Sequence, residues 1–360
     1  MKIIHLISGY LGQGGAERLV VDLAEAQSEM GHDVTICTFR DRNERSLPVP
    51  QGVKYHSFGK KKGIAPTLPF KIKSYLKDEK PDVVNCHLPA VFLYLIPSLT
   101  GCKDVKFFYT IHSNPIQEEH RAFVRKLRNY FIQSGQLHFV AISETVKNSF
   151  EDLYGISGIK MIYNGRKKTE KSAAFGTVQK EVNSLRKDGS TKVFIAVGRL
   201  TVEKNHRLMI EAFSRLSAEN VILLILGQGD KHQFDDVMPN NVFLLGPKDN
   251  VYDYLYCSDA FCMSSIYEGF PISIIEAFSA GLSVLSTRVG GIPDVVKNGY
   301  NGMLCETDLD SYVAMLKQFL AMDEGTQKRL GENGRRDFNE KYNIHSTAAK
   351  YVDLYNLILT

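Results

Sequence analysis

Residues 2–17 read Lys-Ile-Ile-His-Leu-Ile-Ser-Gly-Tyr-Leu-Gly-Gln-Gly-Gly-Ala-Glu: an apolar β-branched run, a glycine-rich turn, then the start of an amphipathic segment. A short buried strand feeding a helix through glycines is a βα unit, and such units build parallel sheets. Working outward, the alternation persists. Strands are expected at 2–8, 33–39, 53–58, 82–86, 106–111, 138–142 and 160–163, with helices near 15–30, 68–79, 89–99, 118–133 and 144–153. Asn164-Gly165 is a turn signal. Residues 166–190 are charged and rich in small side chains, which marks a connector between domains. A second series follows, with strands at 192–197, 221–226, 242–245, 260–263 and 283–286 and helices near 204–217, 250–256, 271–280 and 308–321. Residues 343–359 have the spacing of a closing amphipathic helix. The reading is α/β: two doubly wound, Rossmann-like units, 1–165 and 191–342, facing across a cleft with ligand sites at the carboxyl ends of their strands.

The length of 360 residues and a hydrophobic content of 44% suit two cores. The net charge of +4 is uneven: the first 165 residues hold 21 of the 44 Lys and Arg but only 16 of the 40 Asp and Glu. That excess is too small for a nucleic-acid binder, yet it fits a surface meeting anionic lipid or an acidic acceptor as well as an ordinary solvated face. Six scattered cysteines form no Cys-x-x-Cys pair and read as reduced core thiols. The run 3–7 is too short for a secretion signal, and the apolar stretch 90–99, broken by Pro97, falls short of the roughly 20 residues a spanning helix needs. A cytoplasmic protein is expected, with any membrane contact peripheral.

Chemistry-bearing residues gather at the expected strand ends. Gly14 and Gly15 open the first helix, where backbone N–H groups can approach an anion. The same turn suits a dinucleotide site with Asp41 as ribose acid, but Glu17 stands where a third small residue belongs and Asp41 lies in a charged loop. His112 ends the fifth strand, beside a Pro-broken loop, and can bond a sugar hydroxyl or a reacting centre. In the second half, Gly198-Arg199 closes a strand and Lys204 follows near a helix start, a cationic pair able to neutralise a diphosphate as it leaves. Gly227-Gln228-Gly229 ends the next strand. The most specific segment is Glu268-Gly269-Phe270-Pro271-Ile272-Ser273-Ile274-Ile275-Glu276-Ala277. Its Pro271 suits a first helical turn, Gly269, Phe270 and Ile272 can aim N–H groups at phosphate, and Glu276 can bond the two ribose hydroxyls.

Taken in order, Gly14-Gly15-Ala16-Glu17, Gly198-Arg199 with Lys204, Gly227-Gln228-Gly229 and Glu268-x7-Glu276 resemble the group-4 family of retaining glycosyltransferases with the GT-B fold. The resemblance implies that Arg199 and Lys204 bind the donor diphosphate, Glu276 the ribose, and that Glu268 lies near the donor sugar. It implies that the Gly14-Gly15 loop and His112 face the reaction from an N-terminal acceptor domain, to which the last helix returns. One departure is Tyr163-Asn164-Gly165-Arg166 in place of a commoner Pro-Asn-Gly-acidic run. No Asp-x-Asp motif ends a strand, so neither metal nor other cofactor is expected. The partners expected are a nucleotide-diphosphate sugar, uridine favoured over guanosine, and a saccharide or lipid-linked acceptor. A nucleotide-sugar epimerase of the same architecture and a non-catalytic nucleotide-binding module are the rival readings.

The segment 118–133 carries Phe123, Leu127, Tyr130 and Phe131 on one helical side, flanked by Arg121, Arg125, Lys126 and Arg128. Such a stripe either packs on its own sheet or meets a membrane. The basic flanks, with Lys60, Lys61 and Lys62, are expected to be exposed in both cases.

Overall fold

The computed structural model describes residues 1–360 except 13, 113–114, 116–120 and 217–218. The first residues expected in the 118–133 helix, Gln13 of the glycine-rich turn and the last residue expected in the 204–217 helix therefore lie outside the described residues. Two compact units emerge, one of residues 1–167 and 341–360, the other of residues 168–340.

The first unit holds a seven-stranded sheet: β1 (Lys2–Ile7), β2 (Asp33–Thr38), β3 (Lys54–Ser57), β4 (Val83–His87), β5 (Lys106–Ile111), β6 (Leu137–Ala141) and β7 (Lys160–Met161). All pairs are parallel, in the order β3-β2-β1-β4-β5-β6-β7. Every residue of β4 is buried, as helices covering both faces of a parallel sheet require. The helices are α1 (Gly15–Glu29), α2 (Leu68–Glu79), α3 (Val91–Gly101), α4 (Ala122–Gln133) and α5 (Glu144–Tyr154). Ser143 caps α5 by accepting from the Val146 N–H.

The second unit repeats the plan. It opens with α6 (Phe175–Leu185), then β8 (Lys192–Val197), α7 (His206–Ser214), β9 (Val221–Leu226), β10 (Val242–Gly246), α8 (Val251–Tyr256), β11 (Ala260–Met263), α9 (Ile272–Ala280), β12 (Ser283–Thr287), α10 (Ile292–Val295), β13 (Gly302–Cys305), α11 (Leu309–Leu320) and α12 (Glu324–Asp337). Strand order is β10-β9-β8-β11-β12-β13. In each sheet the order reverses beside the unit's first strand, between β1 and β4 and between β8 and β11, which is where ligands of doubly wound sheets bind.

After α12 the chain rejoins the first unit through α13 (Ile344–Leu359), whose Tyr351 and Tyr355 are buried in the core with Phe108. The Tyr355 hydroxyl accepts from Asn85 Nδ2 at 2.9 Å, and Asn343 caps α13.

Two expectations are corrected. The connector 166–190 contains α6, because Val178 and Val182 sit one turn apart and bury together while Glu181 bonds the Tyr254 hydroxyl at 2.7 Å. In α4, Arg128 is not an exposed flank. It is buried with its guanidinium 5.1 Å from the Phe92 ring and 5.2 Å from the Tyr109 ring, where a delocalised cation is favoured over an ammonium. The apolar stripe is split: Phe131 packs inward, whereas Phe123 and Tyr130 remain 72% and 62% exposed.

Candidate functional site

The switch point of the second sheet gathers the residues singled out there. β8 runs into Gly198-Arg199, and the chain then makes one tight turn through Lys204 before α7 begins at His206. That turn is fixed from below. The His206 ring donates from Nε2 to the Arg199 carbonyl at 3.2 Å, and burial lowers the imidazole pKa to about 4, keeping it neutral. Just past β11, Ser264 Oγ lies 3.1 Å from the Lys204 carbonyl and 2.9 Å from that of Asn205, stapling the turn to the neighbouring strand.

Lys204 and Glu268 form an ion pair through Nζ and Oε1, with both side chains largely withdrawn from solvent. Ser265 Oγ donates to the same carboxylate oxygen at 2.7 Å, and Thr287 Oγ1 holds the Ser265 carbonyl at 2.7 Å. The Glu268 carbonyl accepts from the Gly291 N–H at 2.7 Å, and Gly290 (φ +51°) lies so close that a Cβ there would stand 2.0 Å from that carbonyl oxygen. The sequence assigned Lys204 and Glu268 to different parts of a ligand, whereas the structure brings them together. An ammonium has three N–H donors, so this pairing leaves Lys204 able to meet an anion as well. Arg199, the other half of the expected cationic pair, is exposed.

α9 starts at Ile272, with Pro271 as its N-cap and not inside the first turn. The N–H groups of Ile272 and Ser273 have no intrahelical acceptor by position, and Phe270 packs into the core beneath them. Glu276 lies on an otherwise apolar helix and is only 8% exposed. Gly227 has a packing reason as well as a chemical one: a Cβ there would stand 1.8 Å from the Gly198 carbonyl oxygen, so only glycine lets the β9 and β8 loops lie together. Gly229 packs against Leu200 in the same way.

In the first unit Gly14 is the N-cap of α1 and Gly15 its first residue. The Glu17 carboxylate folds back over Gly14, so this helix end already carries an acid of its own. His112 follows β5, and its Nε2 meets His87 Nδ1 at 3.0 Å. Ser264, Ser265, His206 and the partners of His112 went unnoticed in the sequence. The serine pair at the end of a strand was the one visible signal, since a histidine inside an apolar run has no spacing that marks it.

The chain has known likenesses along both units. The Glycosyltransferase Family 4 model matches residues 13–167, and the model for Glycosyl transferases group 1 matches residues 177–337. The N-acetyl-alpha-D-glucosaminyl L-malate synthase of Bacillus anthracis is 24% identical over 383 aligned positions, which span 100% of this chain and 98% of the relative. The UDP-Gal:alpha-D-GlcNAc-diphosphoundecaprenol alpha-1,3-galactosyltransferase of Escherichia coli is 27% identical over 301 positions, spanning 78% of this chain and 76% of the relative. A solved structure of a glycosyltransferase from Rickettsia africae superposes with a TM-score of 0.83 at 18% identity, over 100% of this chain and 99% of its own.

Proposed function

Because the chain belongs to the glycosyltransferases, of Family 4 type in its first unit and group 1 type in its second, and has the GT-B fold, we propose that it transfers sugar from a nucleotide-diphosphate donor with retention of configuration. The observation that carries the reading is the second sheet's switch point, where a Lys204–Glu268 pair and the buried Glu276 flank the start of α9. The donor diphosphate meets Lys204, Arg199 and the first N–H groups of α9, and Glu276 takes the ribose hydroxyls. Glu268, held by Ser265, lies toward the sugar. The bond from the anomeric carbon to the diphosphate breaks as the acceptor oxygen bonds that carbon on the same face, and the departing diphosphate oxygen takes the acceptor's proton. Lys204 and Arg199 offset the charge on the leaving group, so no metal enters the scheme.

The acceptor is a saccharide or lipid-linked saccharide in polysaccharide or glycolipid synthesis, and uridine diphosphate is the favoured carrier. The lipid-diphosphate acceptor and uridine donor in the name of the Escherichia coli relative support both choices. A panel of uridine- and guanosine-diphosphate sugars, read by nucleoside diphosphate release and by the anomeric configuration of the product in excess chelator, tests the whole reading. Product of inverted configuration overturns the mechanism, activity restored only by Mg²⁺ or Mn²⁺ overturns metal independence, and an epimerised donor would replace the transferase reading altogether.

Glu276→Ala is expected to weaken donor binding by about 1.5–3 kcal/mol, or ~10- to 150-fold in Kd, because charge-assisted bonds to the ribose are lost in a closed site. Titration calorimetry with the donor nucleotide measures this directly. Unchanged affinity in the folded variant removes the ribose role.

The first unit rests on an anionic membrane in this reading. Among the described residues no helix is long and apolar enough to cross a bilayer. Ile64 (93% exposed) follows the Lys60–Lys62 cluster closely in sequence, Phe70 (66%) lies on α2 just beyond it, and the exposed Phe123 and Tyr130 share α4 with Arg125 and Lys126. Apolar side chains among cations match an anionic interface, where each Lys or Arg contributes about 1 kcal/mol. Co-sedimentation is expected to be strong with vesicles of phosphatidylcholine and phosphatidylglycerol in equal parts. It should be weak with phosphatidylcholine alone, reduced by salt, and reduced when Lys60, Lys61, Lys62 and Arg125 are made neutral. Equal partition onto both vesicles, or none onto either, points instead to a water-borne acceptor.

A further inference from the structure

Three histidines stand in a diagonal line across one face of the first sheet. His5 lies two residues before Ile7, which is the register partner of His87, and His87 pairs with Thr110, two residues before His112. Residues two apart share a face, so the three imidazoles step across adjacent strands β1, β4 and β5 on the same side. They touch in sequence. His5 Nδ1 lies 3.1 Å from His87 Nε2, and His87 Nδ1 lies 3.0 Å from His112 Nε2. Beyond His5, its Nε2 lies 2.7 Å from Oε1 of Gln27 on α1. His5, His87 and Gln27 have no exposed surface.

We propose that this chain is a polarised relay in which Gln27, His5 and His87 act as positioning residues that fix the tautomer of His112. An amide oxygen only accepts, so His5 carries its proton on Nε2. Burial lowers His5 to about 4 and His112 to about 4, and holds His87 well below its ordinary value, so each ring is neutral near pH 7 with a single N–H. His5 Nδ1 therefore accepts from His87 Nε2–H, and His87 Nδ1 accepts from His112 Nε2–H. The consequence at the far end is a bare lone pair on His112 Nδ1, which has no hydrogen-bond partner among the described residues. Leu88, directly after His87, sits at φ +72°, a left-handed conformation disfavoured for a leucine, which shows how firmly this strand end is constrained.

A nitrogen fixed as acceptor bonds a hydroxyl and repels a carbonyl or phosphate oxygen. His112 would thus select and orient a sugar hydroxyl. That last step rests on the proposed transferase reading, whereas the tautomer does not. The test is long-range ¹H–¹⁵N correlation on the full chain labelled at histidine, with His112 assigned by its loss in His112→Gln. All three rings of the wild type are expected as Nε2–H tautomers near pH 7. Gln27→Met and His87→Phe each remove a link, and His112 should then become a mixture of tautomers, with kcat about tenfold lower and donor KM unchanged. His112 protonated on Nδ1 in the wild type overturns the relay even if neither variant folds, and so does an unaltered His112 signal in a folded variant. Were no transfer activity found with any donor, the spectrum would still decide the relay, so its failure is separable from that of the functional reading.

Discussion

Lys204→Ala is expected to lower kcat by about 10²- to 10³-fold, the usual loss when one preorganised donor to a developing charge is removed, while donor KM changes far less. The reason lies in how the lysine is held. Its backbone carbonyl is pinned by Ser264, the turn before it by His206 through the Arg199 carbonyl, and its ammonium by Glu268. A group fixed before substrate arrives incurs little reorganisation as charge grows on the leaving diphosphate, so its contribution falls in the transition state and not in the ground state. Arg199 is exposed, and Arg199→Ala should cost less in kcat than Lys204→Ala. Full rate restored to Lys204→Ala by saturating donor would mean that the lysine binds the donor without aiding departure.

Glu268→Gln serves as the companion variant. It keeps the Ser265 bond but removes the charge opposite Lys204, leaving that ammonium without its counter-ion. If Glu268 only neutralises Lys204 at rest, the variant should bind diphosphate more tightly. If it acts toward the sugar, kcat falls although affinity rises. Measuring nucleoside diphosphate affinity and turnover on the same preparation separates the two roles, of which the sequence had given Glu268 only the place near the sugar.

How much of this was legible beforehand depends on the element. Strands such as 192–197, 221–226 and 260–263 coincide with the structure because a strand buried on both faces must be a continuous apolar run, and such runs are visible. The α12 helix was invisible for the opposite reason. Its sequence holds Gly325, Gly331 and Gly334 with a single leucine, so it has no apolar stripe. Gly331 is there because a Cβ would come 2.1 Å from the Gly281 carbonyl oxygen, so α12 is held by backbone proximity to the end of α9 and by the Asp323 cap. At the candidate site, charged residues at strand ends were readable, since type and position alone suggested chemistry. Most of the supports were not: Thr287 and Gly290 act through contacts with segments far apart in sequence, whereas Ser265 reaches Glu268 only three residues on. Arg128 marks the limit of pattern reading, because a cation counted as a solvated flank proved to be a core residue between two aromatic rings.

The buried histidines also set how the protein meets acid. Unfolding returns each imidazole to an ordinary value near 6.5, so between pH 6.5 and about 4 the unfolded chain binds protons that the native chain refuses. Their contribution is therefore complete above pH 6.5 and lost as pH falls toward 4, at about 1.4 kcal/mol per pH unit for each ring, or about 3 kcal/mol for each of His5 and His206. His87, lowered further still, adds in the same direction. Carboxylates such as Asp188 and Asp236, held below their ordinary range by hydrogen bonds, act in a lower window, so urea titrations between pH 6.5 and 4.5 isolate the histidine effect. The first unit carries His5, His87 and His112 against His206 alone in the second, so the first unit should be the first to unfold as pH is lowered. His206→Asn, which keeps a donor for the Arg199 carbonyl but does not titrate, should flatten the pH dependence of the second unit's transition and leave that of the first unchanged. A midpoint that stays constant from pH 6.5 to 4.5 in the wild type would require these rings to gain protons in place, with folded-state values near the ordinary 6.5, and would contradict the lowering that burial gives them.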